Sequence, residues 1–157
     1  MEVASFAEIQ DEFLARITRT VWCTVATVDA QGRPRTRILH PIWEGSTGWI
    51  ATGRDSHKAK HLARNPFVSL SYWDPQHQQV YADCRAGWED DPAEKRRIWD
   101  LYKSTPPPLG YDPAIIWQAG HDDPGYGVLK LTPWRIELFA LNDLFTGQQP
   151  KIWHSKS

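Results

Sequence analysis

Between Val21 and Tyr72, tight turns cut the chain into short runs rich in Val, Thr, Ile and Trp, and this punctuation constrains the fold more than any other feature. Val21–Asp29 is one such run. Asp29-Ala30-Gln31-Gly32 carries turn chemistry, so Arg35–Glu44 should pair back as a hairpin. Glu44-Gly45-Ser46-Thr47-Gly48 marks a second turn, and Trp49-Ile50-Ala51-Thr52 reads as a third strand ending at Gly53. Strands joined this tightly run antiparallel, because a parallel pair needs a crossover of roughly a dozen residues. The three are expected to form a meander, with Pro41 at an edge or bulge.

On either side of this block the periodicity changes. Ser5-Phe6-Ala7-Glu8 fits a capping box, and Phe6, Ile9, Phe13, Leu14 and Ile17 recur at helical spacing, so residues 1–20 read as an N-terminal helix. Ser56 is placed to cap a short basic helix reaching Arg64, which Asn65-Pro66 stops. Phe67–Tyr72 alternates as a half-buried strand, and Gln79–Glu89 reads as another. Asp91-Pro92-Ala93-Glu94 opens a helix whose apolar stripe is Ile98, Trp99, Leu101 and Tyr102. Beyond the proline-rich connector Thr105–Gly110, Pro113–Gln118 reads as one more helical turn. Val128–Phe139 is the last long strand, with Pro133 marking a bulge, and residues 141–157 form a C-terminal tail. About six meander-connected strands with short helices favour a closed or split β-barrel over a parallel sheet.

Composition narrows the function. A chain of 157 residues is expected to be one domain, residues 1–157, with a single core. Eighteen Lys plus Arg against nineteen Asp plus Glu give a net charge of -1, so neither a nucleic acid nor a membrane surface is an expected partner. No signal-type start is present, and no apolar run approaches the ~18 residues of a membrane span, which points to a soluble, cytoplasmic protein. Cys23 and Cys84 form no C-x-x-C pair and are expected to be small buried hydrophobes. The nine Trp are mostly core material, although several beside polar loops suit interfaces or pockets for flat rings.

Thr52-Gly53-Arg54-Asp55-Ser56-His57-Lys58-Ala59-Lys60 is the main candidate site. A strand end, a glycine, a capping serine and two lysines in the first helical turn gather donors and positive charge around one point, which suits a phosphate. Arg37, on the neighbouring strand, can reach the same point. The alternative is that Lys58, Lys60, His61 and Arg64 are the solvated face of a surface helix, and no Walker or dinucleotide fingerprint decides between the two. His57 and His61 lie four apart, but the zincin glutamate is missing and Lys58 would repel a cation, so no metal is expected. Gly120–Gly127 lacks the ligand spacing of a calcium loop, and Glu89-Asp90-Asp91 reads as helix capping. His40 is either a core or rim histidine or a ligand contact. No Ser/His/Asp or Cys/His signature stands out, so no catalytic residue is assigned.

Four pieces in order, Arg37-Ile38-Leu39-His40, Ala51-Thr52, Ser56-His57-Lys58 followed by Asn65-Pro66-Phe67-Val68-Ser69-Leu70, and Gln79-Val80, resemble the pyridoxamine 5′-phosphate oxidase-like family of FMN-binding split β-barrels. The likeness runs from about Val21 to Phe139. It implies a mainly β (α+β) fold: a six-stranded antiparallel split β-barrel with short peripheral helices, binding FMN at a homodimer interface. It further implies that Arg37 and Lys58 bind the phosphate, with His57 where arginine is usual and Ser56 capping the corner. Ile38, Leu39 and His40 would lie along the flavin ring, Ala51 and Thr52 would hydrogen-bond to it, and Gln79 would reach it from the partner chain. The implied activity is FMN-dependent oxidoreduction of a small molecule. Coenzyme F-420, a deazaflavin, is an alternative cofactor, and a flavin- or haem-binding protein without turnover is an alternative role. Oxidation of vitamin B6 phosphates is not expected. Ile42 stands where those oxidases carry a substrate-phosphate lysine, and Asn142–Trp153 contains no arginine-x-histidine motif.

Overall fold

The computed structural model describes residues 1–156. Six long strands appear as expected: β2 (Cys23–Val28), β3 (Pro34–Leu39), β5 (Thr47–Gly53), β6 (Phe67–Trp73), β7 (Gln78–Glu89) and β8 (Tyr126–Ala140). Three short ones complete a nine-stranded sheet: β1 (Glu2–Val3), β4 (Ile42–Glu44) and β9 (Lys151–His154). The hydrogen-bonded order is β1-β9-β8-β7-β6-β2-β3, and β5 joins β8 on one side and β4 on the other. No pairing links β3 to β4, so the barrel stays open there, as a split barrel does.

The β2–β3 hairpin follows from its turn. Gly32 adopts φ +76° and donates its N–H to the Asp29 carbonyl at 3.0 Å, while the Asp29 carboxylate accepts from the N–H groups of Gln31 and Arg33 at 2.9 and 3.0 Å. The expected three-strand meander does not continue beyond it. β5 pairs with β4 and β8 rather than with β3. Pro41 has no N–H to offer a ladder, so the run Arg35–Glu44 breaks at His40-Pro41 into β3 and β4. Packing then holds β5 elsewhere. Trp49 and Ile50 are consecutive yet both buried, one on each face of the sheet, a burden that an edge strand against solvent would not carry.

Those two faces look onto two cores. Inside the barrel, Ile50 packs with Val25, Leu70, Val80, Leu131 and Ile136, and α1 (Gln10–Thr20) adds Ile9, Phe13 and Ile17 at i, i+4 and i+8 from one helix face. Cys23 and Cys84 are unpaired and buried here, and burial pushes the Cys23 thiol up to about 12. On the outer side, Trp49 and Ile42 pack with Ile98, Trp99 and Tyr102 of α3 (Pro92–Ser104) and with Trp117 and Tyr126. Asp91 caps α3 by accepting the Ala93 N–H. A bulge falls at Pro133, as expected: Asp83 faces Arg135 and Cys84 faces Pro133, leaving Trp134 as the extra residue. The last stretch contributes α4 (Asp143–Thr146) and β9, which pairs antiparallel with β8 and parallel with β1. No helix among the described residues is long and apolar enough to cross a membrane.

Candidate functional site

β3 carries the site because its residues alternate between two environments. Arg37 sits opposite Val25 of β2, and its Nη1 donates to Thr27 Oγ1 at 2.8 Å. Thr27 is only 2% exposed, and its hydroxyl also lies 2.8 Å from His61 Nδ1. Thr27 therefore ties a strand guanidinium to an imidazole of α2 (His57–Leu62). Lys58, in the first turn of α2, donates from Nζ to Ser56 Oγ at 3.1 Å. Ser56 does occupy the cap position, but its side chain takes the Lys58 ammonium instead of a backbone amide. Burial, and then the nearby Arg37 guanidinium, holds the Lys58 pKa below its ordinary value. Burial, and then Arg35, does the same to Arg37. Among the described residues neither cation has a carboxylate partner, in contrast to Arg33 and Arg54. Two half-buried, unneutralised positive charges side by side are a place where an anion gains and water alone does little.

The clefts around the corner extend it. Arg35, Thr36, Arg37, His57 and His61 line one of about 340 Å³, and Arg33, Arg35, Lys60, His61 and Arg64 line a second of about 410 Å³ that shares Arg35, His57 and His61 with the first.

On the other side of Arg37 along β3 lies an apolar cavity of about 410 Å³. Ile38 and Leu39 of β3, His40 directly after it, and Ile50 and Ala51 of β5 line it together with Tyr102, Tyr111, Ile115 and Ile116. His40 is boxed in by aromatic edges, with Trp22 at 4.4 Å, Tyr111 at 5.2 Å and Tyr102 at 5.8 Å between ring centroids. Its Nε2 is buried without a hydrogen-bond partner. Burial lowers the His40 pKa, and a backbone hydrogen bond at Leu109 works partly against that. The imidazole is thus neutral near pH 7. Tyr102 spans the gap in the barrel: its hydroxyl lies 2.8 Å from the Trp49 carbonyl and 3.1 Å from that of His40, and it accepts the Ala51 N–H at 3.4 Å.

Of the residues singled out from the sequence, Ile38, Leu39, His40 and Ala51 meet in this cavity. Arg37, Ser56, His57 and Lys58 meet at the cationic corner. Thr52 is buried beside Ala51 on β5, opposite Gly127, and lines neither space. Gln79 stands apart on β7, with β6 and β2 between it and β3; its side chain accepts from the Tyr81 hydroxyl, and its carbonyl accepts from Arg16 Nη1 at 2.9 Å. Thr27, His61, Trp22, Tyr102 and Tyr111 escaped the sequence reading as site residues. Of these, His61 was read only as part of a helix face or a rejected metal pair and Tyr102 only as part of an apolar helix stripe. Among the described residues no three His, Cys, Asp or Glu side chains cluster as metal ligands.

An open antiparallel barrel with a cationic corner and an apolar slot beside one strand defines the class: a split β-barrel. The family can be given as well. The pyridoxamine 5′-phosphate oxidase family profile matches residues 9–140, most of the chain, and the protein belongs to that family. Pyridoxine/pyridoxamine 5′-phosphate oxidase of Aliivibrio salmonicida is 41% identical over 69 residues, which are 43% of this chain and 33% of that enzyme, so the match spans about a third of the curated relative. Among solved structures, a Clostridium acetobutylicum protein related to general stress protein 26 superposes with a TM-score of 0.74 at 16% identity, covering 96% of each chain. An FMN-binding protein of Nostoc punctiforme gives 0.62 at 16% identity over 99% of this chain and 98% of that one. A protein named F420 reductase gives 0.58 at 20% identity over 78% and 93%. At these identities the structural likeness speaks for the fold.

Proposed function

We propose that the protein is an FMN-dependent oxidoreductase acting on a small molecule as a homodimer. One observation carries this reading: Arg37, which forms an unneutralised cation pair with Lys58 of α2, is followed directly on β3 by Ile38 and Leu39, which line the apolar cavity. That is the donor set an FMN needs, with charge-assisted donors for the phosphate and a flat apolar slot for the ring. Arg37 and Lys58 would hold the phosphate, supported by His57 and Ser56. Ile38, Leu39, His40 and Ala51 would line the ring, and Thr52 would support Ala51 from behind. When bound, FMN supplies the hydride chemistry; the chain supplies binding, orientation and exclusion of water. The isolation of Gln79 from the other nine residues suits a role toward a second copy. So does the outward exposure of Ile38, Phe67 and Trp73 on strands of one sheet. The absence of a carboxylate beside Arg37 and Lys58 among the described residues supports a resident anion, and two unpaired cysteines suit a reducing cytoplasm.

Vitamin B6 phosphates fit this site poorly. Ile42 is buried under α3 against Trp49 and offers a substrate phosphate nothing. The cleft beyond the corner, with Arg35, Lys60 and Arg64 beside the Asp29–Arg33 ion pair, favours a second reading in which the cofactor is the deazaflavin F-420, whose anionic tail is longer than that of FMN. The F420 reductase fold neighbour agrees with this reading.

The purified protein tests both. Flavin absorbance, or saturable uptake of added FMN, followed by bleaching with reductant and recovery in air, is the expected result. Uptake of F-420 in preference to FMN would move the conclusion to the second reading. A colourless protein that takes up neither would sink both, and a Soret band would point to haem binding without this chemistry.

A further inference from the structure

Thr27 decides which way the hydrogen bonds at the cationic corner run. An arginine only donates, so Arg37 Nη1 uses Thr27 Oγ1 as its acceptor, and the proton of that hydroxyl is left to donate elsewhere. Thr27 is buried, and among the described residues the one other group bonded to Oγ1 is His61 Nδ1, at 2.8 Å. The hydroxyl proton therefore goes to Nδ1. The network so assigns the tautomer of His61: Nδ1 accepts, and the ring N–H lies on Nε2. Nε2 itself bonds to nothing among the described residues, yet it is not one of the buried orphan atoms, which are Arg16 Nε and His40 Nε2. It is open to the two polar clefts that His61 lines. Those clefts give it no free carboxylate. Arg35, Arg37, His57, Lys60 and Arg64 line them, and Asp29, the one carboxylate, is already taken by Arg33 Nε and the N–H groups of Gln31 and Arg33.

We infer that His61 is a further anion-binding residue, whose Nε2–H donates to the phosphate held by Arg37 and Lys58, and that Thr27 is the positioning residue that aims the guanidinium and the imidazole at one point. As a contact of the FMN phosphate, this rests on the flavoprotein reading above; as a contact of a phosphate group, it does not. The ligand that suits an open N–H among positive side chains is an acceptor carrying negative charge, because a cation or a second donor would be repelled there. Thr27 matters because α2 lies outside the sheet and shares no ladder with β3. The chain Arg37–Thr27–His61 crosses that boundary through one buried hydroxyl, so the helix donor keeps its place relative to the strand donor before any anion arrives.

Ring-nitrogen NMR of histidine-labelled protein at mildly alkaline pH tests the tautomer, and titration tests the contact. We expect the His61 proton on Nε2 in the parent and in Thr27→Ser, which keeps the hydroxyl, and a proton shared between both nitrogens in Thr27→Val. Inorganic phosphate, or FMN, should move the His61 Nε2–H signal of the parent. In fluorescence titrations His61→Phe and Thr27→Val should each raise the Kd for FMN by about tenfold or more, while Thr27→Ser stays within about twofold of the parent. Riboflavin, without the phosphate, should bind all four proteins alike. Circular dichroism checks each fold, and if Thr27→Val does not fold, His61→Phe and Thr27→Ser carry the test. A proton on Nδ1 in the parent, a His61 signal that neither phosphate nor FMN moves, or a loss in His61→Phe equal for FMN and riboflavin would each overturn the inference. A phosphate response at His61 without FMN uptake leaves the anion contact and removes the flavoprotein reading; FMN uptake with an affinity unchanged in His61→Phe does the reverse.

Discussion

Lys58→Met is the substitution that separates a phosphate site from a basic surface. Methionine keeps the apolar stem that Lys58 packs into the half-buried corner and removes only the ammonium. In the free protein that ammonium makes one hydrogen bond, to Ser56 Oγ at 3.1 Å, and sits against the Arg37 guanidinium with no carboxylate to balance it. A hydrogen bond from a charged donor is worth about 1.5–3 kcal/mol, and the burial of the ammonium and crowding by a like charge offset it. The melting temperature of the cofactor-free variant should therefore match that of the parent or exceed it. With a phosphate present the sign reverses. A charge-assisted hydrogen bond contributes about 1.5–3 kcal/mol, so the Kd for FMN should rise about 12- to 160-fold. Fluorescence titration with FMN measures this, and riboflavin, which lacks the phosphate, is the internal control. Its affinity should hardly change, so the advantage of FMN over riboflavin should shrink by the same factor. An unchanged FMN affinity would show that Lys58 is part of a solvated helix face. A lower melting temperature with both ligands weakened equally would show that it is a structural residue.

Gly110→Ala would place a Cβ 1.8 Å from the Thr105 carbonyl oxygen and 2.7 Å from that of Tyr102, so we expect a loss of about 3 kcal/mol or more in urea unfolding, with Tyr111 displaced. His40 is held below its ordinary pKa in the fold, so the unfolded chain binds the extra proton first; stability should fall as pH drops through about 6.5 and level off below the folded value. His40→Leu should remove that limb in chemical denaturation. The limb that remains comes from depressed carboxylates such as Asp29, Glu44 and Asp74, whose ordinary pKa values lie near 4. Phe67→Glu with Trp73→Glu puts charges on two side chains more than half exposed on β6 and should convert a dimer into a monomer in sedimentation velocity; a parent chain that is monomeric when saturated with FMN refutes the dimer instead.

Much of this architecture was legible in the sequence because it is local. The stripe Ile9, Phe13, Ile17 and the turn Asp29–Gly32 specify their own helix and hairpin from nearest neighbours, and both formed as read. Arg37 and Lys58 were legible as cations at a strand and at a helix start, and the fold brings them together. The pairing of β5 with β8 was not, because it depends on a second core under α3 that buries Trp49 on one face while Ile50 is buried on the other, so the strand shows no apolar–polar alternation to read. The cavity was half legible. Its β3 wall is continuous in sequence, but its other wall comes from α3 and from a stretch whose prolines announce rigidity and say nothing about facing. Thr27 was invisible as a site residue since its partners, Arg37 and His61, lie 10 and 34 positions away.

The phenol of Tyr102 turns the gap in the barrel into a latch. One oxygen, carried by a helix, touches the last carbonyl before the chain breaks at Pro41 and the backbone of β5 across the opening. The two lips of the slot therefore have no register of their own to keep them apart; their spacing is inherited from how α3, through Trp99, beds down on Trp49 and Tyr126. In such an arrangement residues remote from the slot, on the buried side of α3, act as shims. Related chains could widen or narrow the same opening by changing helix packing while leaving every residue of β3 untouched.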